Sequence, residues 1–208
     1  MVRLIDAGHR ISLALRIERA TIKASDAEGI DMATRDIAAA MQRVEKILQR
    51  RPETGIHDDA SAIARWESGT RIVASHANGA QMLTDMPNEL GGSGDQVSPG
   101  WLFRAGVASC LATCIAMNAA SVEIELTKLD VLASSRSDLR GLLGMANAAG
   151  ELVSAGPSNV QLRVSIAAHG VSPERLRMLV EDSRRRSPIL LALENAVPVD
   201  MRIDVAVS

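Results

Sequence analysis

One long apolar segment constrains the fold of this chain more than any other feature of its sequence. From Pro99 to Ala120 the residues are apolar on nearly every side of a helix, with Arg104 as the one charged residue. Ser98 and Pro99 suit the N-cap and the first helical position, so the helix is predicted to begin there. A helix without a charged face is typical of a buried core element. Its most apolar part, about 14 residues, is shorter than the roughly 20 that span a bilayer, so we predict a core helix.

Strand-like patterns on both sides of this helix predict an α+β fold. Residues 71–76 and 80–84 flank Asn78-Gly79, a dipeptide typical of a tight β-hairpin turn. Three further segments have the apolar pattern of strands: Leu126 to Ala133, Val160 to Ala168 and Val197 to Val207. The order of these elements indicates antiparallel sheet strands that cover central buried helices.

A pair of helices is predicted before the last of these strands. Ser172-Pro173 is a helix start, and the helix that follows is expected to turn four side chains inward, namely Leu176, Met178, Leu179 and Val180. The segment Arg184 to Pro188 interrupts it, and Ile189 to Leu193 is predicted as a further short helical segment.

The first 60 residues differ from the rest and are predicted to form a helical appendage to a domain of residues 61–208. A helix is expected within Arg19 to Arg51, with Asp31 as its cap and Arg51-Pro52 and Gly55 as its end. Its apolar positions recur at spacings of three and four, which is the pattern of an amphipathic helix. They are Ile37, Met41, Val44 and Leu48, which we expect to pack against the body of the protein or a second subunit.

Charge and composition exclude several classes of function. The net charge is -2, and Trp66, Trp101 and Phe103 are the only aromatic residues, so neither a basic surface nor base-stacking side chains indicate nucleic-acid binding. The N-terminal residues lack the basic and apolar regions of a signal peptide, and no membrane span is predicted. The cytoplasm is therefore the expected compartment.

The two cysteines, Cys110 and Cys114, lie one turn apart in the apolar helix. Cysteines in such a helix are commonly small core residues. Residues four apart in a helix have Cβ atoms about 5–6 Å apart, whereas a disulfide requires about 3.5–4.5 Å. A bridge between Cys110 and Cys114 would therefore require the helix to unwind locally. No ligand spacing near them indicates a metal site.

A set of short motifs in a fixed order gives Cys110 a second interpretation. Before and within the apolar helix the chain carries Glu89-Leu90-Gly91-Gly92, Ser98-Pro99, Leu102-Phe103, Ala105-Gly106 and Ala108-Ser109-Cys110. Downstream follow Asp138 to Gly144, Arg186-Ser187-Pro188 and Val197-Pro198-Val199. In order and spacing these motifs resemble the OsmC/Ohr family (osmotically inducible protein C and organic hydroperoxide resistance). The resemblance extends from about Arg65 to Val207.

This resemblance implies an intertwined homodimer and a thiol peroxidase that reduces organic hydroperoxides without metal, haem or another cofactor. Cys110 stands at the position of the peroxidatic cysteine, which must be a thiolate to react. The family also places an arginine beside that sulfur, held by a glutamate early in the helix. Arg71 is the nearest match for this arginine. Arg65 and Arg104 are alternatives, and Arg71 is otherwise an ordinary strand residue.

The chain departs from the family pattern at two positions. Gly100 replaces the glutamate, and Ser187 replaces the resolving cysteine. The expected activity is therefore weak and of the one-cysteine kind, in which an external thiol reduces oxidised Cys110. The same departures favour a rival hypothesis, a non-enzymatic homodimer that binds a small hydrophobic ligand. A purely structural or partner-binding dimer is a third hypothesis.

Overall fold

The computed structural model describes residues 24–195 and 197–206, and within it side chains from residue 34 onward. It contains five helices and five strands in these residues. In chain order they are α1 (Ala24–Arg50), β1 (Ile63–Ser68), β2 (Arg71–Ser75), β3 (Gln81–Thr84), α2 (Pro99–Ser121), β4 (Leu126–Arg136), α3 (Leu139–Leu142), β5 (Ser158–Ala168), α4 (Pro173–Arg184) and α5 (Pro188–Glu194). The α+β fold class predicted from the sequence is confirmed.

Helix α2 begins where the sequence predicts, because the Ser98 hydroxyl accepts a hydrogen bond from the backbone N–H of Trp101. One face of α2, which includes Val107, Leu111 and Ile115, is buried in the core. The other face is exposed in the single chain, including Trp101 and Met117. The sequence prediction of a buried helix therefore holds for one face only.

By length and composition, α2 is the one helix in the described residues that could cross a membrane. Its contacts are nevertheless those of a core helix, since it packs against α1, β4, α4 and α5. These contacts account for the apolar residues on the buried face of α2.

The core lies where α2 meets the helix pair α4–α5 and a two-stranded antiparallel sheet of β4 and β5. From α4 it receives Leu176 and Leu179, as predicted. Met178 points away from the core and is exposed, so its predicted inward position is wrong. The prediction gave three consecutive residues the same orientation, whereas consecutive residues on a helix are about 100° apart.

A second antiparallel sheet has the order β1-β2-β3, and its first strand was missing from the sequence prediction. Every residue of β1 is exposed. Its sequence therefore lacks the regular alternation of apolar and polar residues by which a half-buried strand is recognised. The predicted hairpin between β2 and β3 is confirmed, but its turn differs. The loop closes with the bond from the Gly79 N–H to the His76 carbonyl, and only Gly79, with φ of +93°, is left-handed.

The N-terminal helix α1 is present and ends at Arg50, directly before Arg51-Pro52, as predicted. Its described part starts before Asp31, so the prediction that Asp31 caps the helix is wrong; residues 19–23 of the predicted span lie outside the described residues. Helix α1 packs against α2. Met41 and Leu48 are half-buried there, whereas Val44 is exposed in the single chain.

The predicted strand at Val197 to Val207 does not form in the single chain. Residues 197–206 lack regular secondary structure, and residue 207 lies outside the described residues. The alternating apolar side chains Val197, Val199, Met201, Ile203 and Val205 are 60% to 86% exposed. The alternation gives the segment the pattern of a strand, but a strand also needs a partner to receive its backbone hydrogen bonds.

Candidate functional site

Cys110 lies midway along α2 and is half-buried. At this point α2 faces residues 184–188, the joint between α4 and α5. Its Sγ is 3.2 Å from the Oγ of Ser187, a residue 77 positions later in the chain. Ser187 precedes Pro188, the first residue of α5, and is fully buried. The break in the helix pair at residues 184–188 therefore brings the Ser187 hydroxyl against the Cys110 sulfur.

Cys114 follows one turn later and faces the same joint. Its sulfur lies 3.7 Å from the backbone carbonyl oxygen of Arg186, to which the S–H donates. Burial raises the pKa of the Cys114 thiol, and the neighbouring Cys110 sulfur raises it further. Both cysteines are free, and α2 is continuous through them.

A buried polar contact lies one turn beyond Cys114 along α2. The Asn118 side-chain amide donates to the Ser183 hydroxyl at 3.1 Å, and that hydroxyl donates to the Leu179 carbonyl at 2.7 Å. The polar side chains Cys110, Cys114 and Asn118 recur every four residues and so share one face of α2. This face is the one that meets the α4–α5 joint.

Arg71 belongs to a different group of residues. Its guanidinium donates to the Asp95 carboxylate at 2.6 Å and to the Ser93 hydroxyl at 2.8 Å, and it lies 3.6 Å from the Asp85 carboxylate. In the described part of the chain no hydrogen bond or ion pair joins Arg71 to Cys110. The role predicted for Arg71 stays a prediction.

The other two arginines that the sequence left open are also placed. Arg65 is on the exposed strand β1, opposite Val73 of β2. Arg104 is on α2, and its Nη1 would lie 3.7 Å from a Cβ at Gly100. Position 100 therefore has room for a side chain, and the glycine there is not required by close packing.

The sequence analysis missed Asp85, the most constrained carboxylate of the Arg71 group. Asp85 is 3% exposed and accepts four hydrogen bonds: from the Thr70 hydroxyl at 2.5 Å, the Met86 N–H at 2.8 Å, and the Ser93 hydroxyl and N–H at 2.5 and 3.0 Å. The hydrogen bonds from Ser93 and Thr70 hold its pKa well below the ordinary value, despite burial.

The Gly91-Gly92 loop explains how Ser93 reaches Asp85. A Cβ at position 92 would lie 1.8 Å from the Met86 carbonyl oxygen, so only glycine fits there. Gly91 has a φ of +81°, a conformation that other residues rarely adopt. The two glycines thus let the loop fold back over Asp85, and the loop presents Ser93 and Asp95 to Arg71.

We expect Asp85→Asn to make the stability of the fold less dependent on pH in the acidic range. A carboxyl whose pKa is lower in the folded state stabilises the fold fully above its unfolded value of about 3.9, and this contribution declines as the pH falls below that value. The melting temperature of Asp85→Asn should therefore be lower than the parent's at pH 7, and the difference should shrink at pH 3. Asp36→Asn, at an exposed position, is the control. A constant difference at both pH values would contradict this role for Asp85.

An apolar cavity of about 670 Å³ lies between α2, β5 and the α4–α5 pair. Phe103, Leu111, Leu162 and Leu190 are among its lining residues, and the Arg184–Glu194 ion pair is at its rim. Phe103 precedes Cys110 by seven residues, which places both on one side of α2.

The fold and this site define an α+β protein with a half-buried thiol on a core helix, faced by a hydroxyl from a helix joint. The chain belongs to the OsmC family, because the family model described as OsmC-like protein matches residues 92–202, more than half of its length. The resemblance stated from the motifs is thereby confirmed. Among curated proteins none matches the sequence.

Solved structures show the same fold. An OsmC-like protein from Mycoplasma pneumoniae is 15% identical, with a TM-score of 0.56 over 68% of this chain and 91% of that one. An OsmC-like protein of unknown function from Vibrio cholerae is 17% identical, with a TM-score of 0.54 over 66% of this chain and 95% of that one. At these identities the comparison establishes the fold alone.

Proposed function

We propose that this protein reduces organic hydroperoxides through Cys110 and uses an external thiol as the reductant. The observation that carries the proposal is the 3.2 Å contact between the Cys110 sulfur and the Ser187 hydroxyl. By the family resemblance, positions 110 and 187 correspond to the peroxidatic and resolving cysteines. Their proximity across 77 residues supports that correspondence, and only one of the two positions carries a sulfur.

The reaction follows from this single sulfur. The Cys110 thiolate attacks the outer oxygen of the hydroperoxide, the O–O bond breaks, and the alkoxide takes up a proton to leave as an alcohol. Cys110 is oxidised to a sulfenic acid. An external thiol then displaces water to form a mixed disulfide, and a second external thiol releases Cys110 as a thiol. A reducing compartment such as the cytoplasm supplies such thiols.

We expect the protein to prefer apolar hydroperoxides over hydrogen peroxide, although Cys110 itself does not line the cavity. Phe103 and Leu111 line the cavity of about 670 Å³ beside the helix, and Phe103 is on the Cys110 side. Ligand sites with apolar walls bind the apolar part of a substrate by removing it from water. Hydrogen peroxide has no such part.

Mass spectrometry after addition of one equivalent of cumene hydroperoxide tests the proposal. We expect oxidation on Cys110 before Cys114, because the Cys114 S–H donates to the Arg186 carbonyl and burial raises its pKa. An added small thiol should then form a mixed disulfide on Cys110. A protein in which Cys110 stays reduced would overturn the proposal.

We also propose that the functional unit is a homodimer, as the family resemblance implies. Three surfaces of the described chain that carry exposed apolar side chains support it: the α2 face with Trp101 and Met117, strand β1 with Ile63 and Trp66, and residues 197–206. Among the described helices and strands, the sheet β1-β2-β3 packs extensively only within itself. Burial of such surfaces by a second copy is typical of obligate dimers, whose interfaces exceed about 2,000 Å².

Sedimentation at low micromolar concentration checks the dimer. We expect a single species of twice the chain mass, and truncation after residue 196 should lower that mass or the melting temperature. A folded monomer of the full chain, stable on dilution, would contradict the expectation.

The cavity between α2 and β5 also favours the second hypothesis, a dimer that binds a small hydrophobic ligand without chemistry. Its volume of about 670 Å³ is in the range of small-molecule sites. This hypothesis predicts that Cys110→Ser leaves the binding of an apolar probe unchanged and that peroxide does not oxidise Cys110.

A further inference from the structure

Ser187 differs from the other serines that begin helices in this protein. The hydroxyls of Ser98 and Ser172 cap α2 and α4 by accepting backbone N–H groups, from Trp101 and Arg175 respectively. Ser187 stands at the same position of α5, and its side chain makes no capping bond. Its hydroxyl is instead directed to the Cys110 sulfur, at 3.2 Å. The capping interaction that a serine usually supplies is therefore given up in favour of a contact with sulfur.

The burial of Ser187 makes this contact more significant. The residue is fully buried, so water cannot take the hydroxyl hydrogen. Among the described residues, the partners of this hydroxyl are the two cysteine sulfurs. A buried hydroxyl tends to use its hydrogen, and a thiolate is the stronger acceptor of the two states of a cysteine.

The two sulfurs share the Ser187 hydroxyl as a neighbour but differ in their other contacts. For Cys114 the effect of burial and of the Cys110 sulfur, which raise the pKa, exceeds that of the Ser187 hydrogen bond, which lowers it. Cys110 lies 3.2 Å from the Ser187 hydroxyl, which can donate to its sulfur. Cys114 faces the carbonyl of Arg186, which can only accept and so favours the protonated thiol. Two thiolates one helical turn apart would also repel each other, so the joint supports one thiolate and one thiol.

We propose that Ser187 is a positioning residue whose hydroxyl donates to the Cys110 thiolate and thereby makes Cys110, rather than Cys114, the reactive sulfur. This inference deepens the proposed function and rests on it for its biological meaning. It assigns an activating role to the residue that stands in the place of the second cysteine. In the described chain Arg71 is bound to Asp95 and Ser93, so Ser187 is the donor that the chain itself brings to Cys110.

Alkylation by iodoacetamide, measured for each cysteine by mass spectrometry, tests this role without any peroxide. In the full-length protein at pH 7, Cys110 should be alkylated faster than Cys114. Ser187→Ala should slow alkylation of Cys110 about tenfold, the effect of one hydrogen bond to a charged group. At pH 10, above the ordinary range in which cysteine thiols lose their proton, the two proteins should react at similar rates.

Ser183→Ala is the matched control. Ser183 is also fully buried in the same helix pair, one turn earlier, but its hydroxyl bonds to Asn118 and the Leu179 carbonyl. Ser183→Ala should leave the alkylation rate of Cys110 unchanged. Ser187→Thr keeps a hydroxyl and should retain most of the parent alkylation rate at pH 7.

Three outcomes would overturn the inference. They are faster alkylation of Cys114 than of Cys110 in the parent protein, equal slowing by Ser187→Ala and Ser183→Ala, and a deficit in Ser187→Ala that persists at pH 10. The first needs no variant, so a folding defect cannot obscure it. Because alkylation involves no hydroperoxide, its result is separate from the test of the proposed function.

Discussion

Cys110→Ser should reduce the consumption of cumene hydroperoxide by at least about a hundredfold, since removal of a nucleophile removes the reaction path that depends on it. Serine is close to cysteine in size, so the contact with Ser187 and the packing of α2 should persist. The assay measures remaining peroxide in the presence of a small thiol, with the rate without protein subtracted. Cys114→Ser is the control and should retain most of the parent rate, because the proposed reaction does not use Cys114.

The contrary result is informative as well. If Cys110→Ser consumes hydroperoxide as fast as the parent, the enzyme proposal fails and the ligand-binding hypothesis takes its place. If both single variants lose activity, Cys114 takes part in turnover. Local unwinding of α2 would then be needed for the two sulfurs to meet.

Ser187→Cys should convert the protein from a one-cysteine to a two-cysteine mechanism. The Ser187 oxygen is 3.2 Å from the Cys110 sulfur, and a disulfide joins two sulfurs about 2.05 Å apart. The longer C–S bond of the new side chain shortens the remaining gap, so a small adjustment of the joint closes it. After one equivalent of cumene hydroperoxide, a non-reducing peptide map should join the peptides that contain positions 110 and 187.

The amount of mixed disulfide formed with an added small thiol is a second test of this change of mechanism. The parent should form a mixed disulfide with an added small thiol, whereas oxidised Ser187→Cys should form almost none, because the internal thiol reacts first. Ser183→Cys places a thiol in the same buried helix pair without contact with Cys110, and it should behave as the parent does. Mixed disulfide at the parent level in Ser187→Cys would show that positions 110 and 187 do not meet during turnover.

The elements that the sequence predicted well depend on interactions between residues close in the chain. Helix starts at Ser98 and Ser172 rest on a hydroxyl and an N–H three residues later. The hairpin around Gly79 rests on a residue that tolerates positive φ. The predictions that Asp31 caps α1 and that Met178 points inward were wrong, because several neighbouring residues fit the same local pattern equally well. Periodicity alone did not distinguish among them.

The candidate site was only half predictable. Cys110 was recognised because its motif is contiguous, and Ser187 because it precedes a proline in a matching motif. Asp85 and Asp95 were missed, since neither belongs to a motif and their role depends on the path of the Gly91-Gly92 loop. A glycine pair beside acidic residues was the one available signal.

By itself, the sequence of this protein determined the α+β class, the position of the apolar helix, the resemblance to OsmC-like proteins and the identity of the sulfur to examine. These depend on periodicity, capping and contiguous motifs, which act over a few residues. Only the tertiary structure decided that the Ser187 hydroxyl faces Cys110, that Arg71 binds Asp95, and that residues 197–206 have no partner strand among the described residues. Contacts between residues far apart depend on how whole elements pack, and the pattern within one element carries no information on the element that it meets.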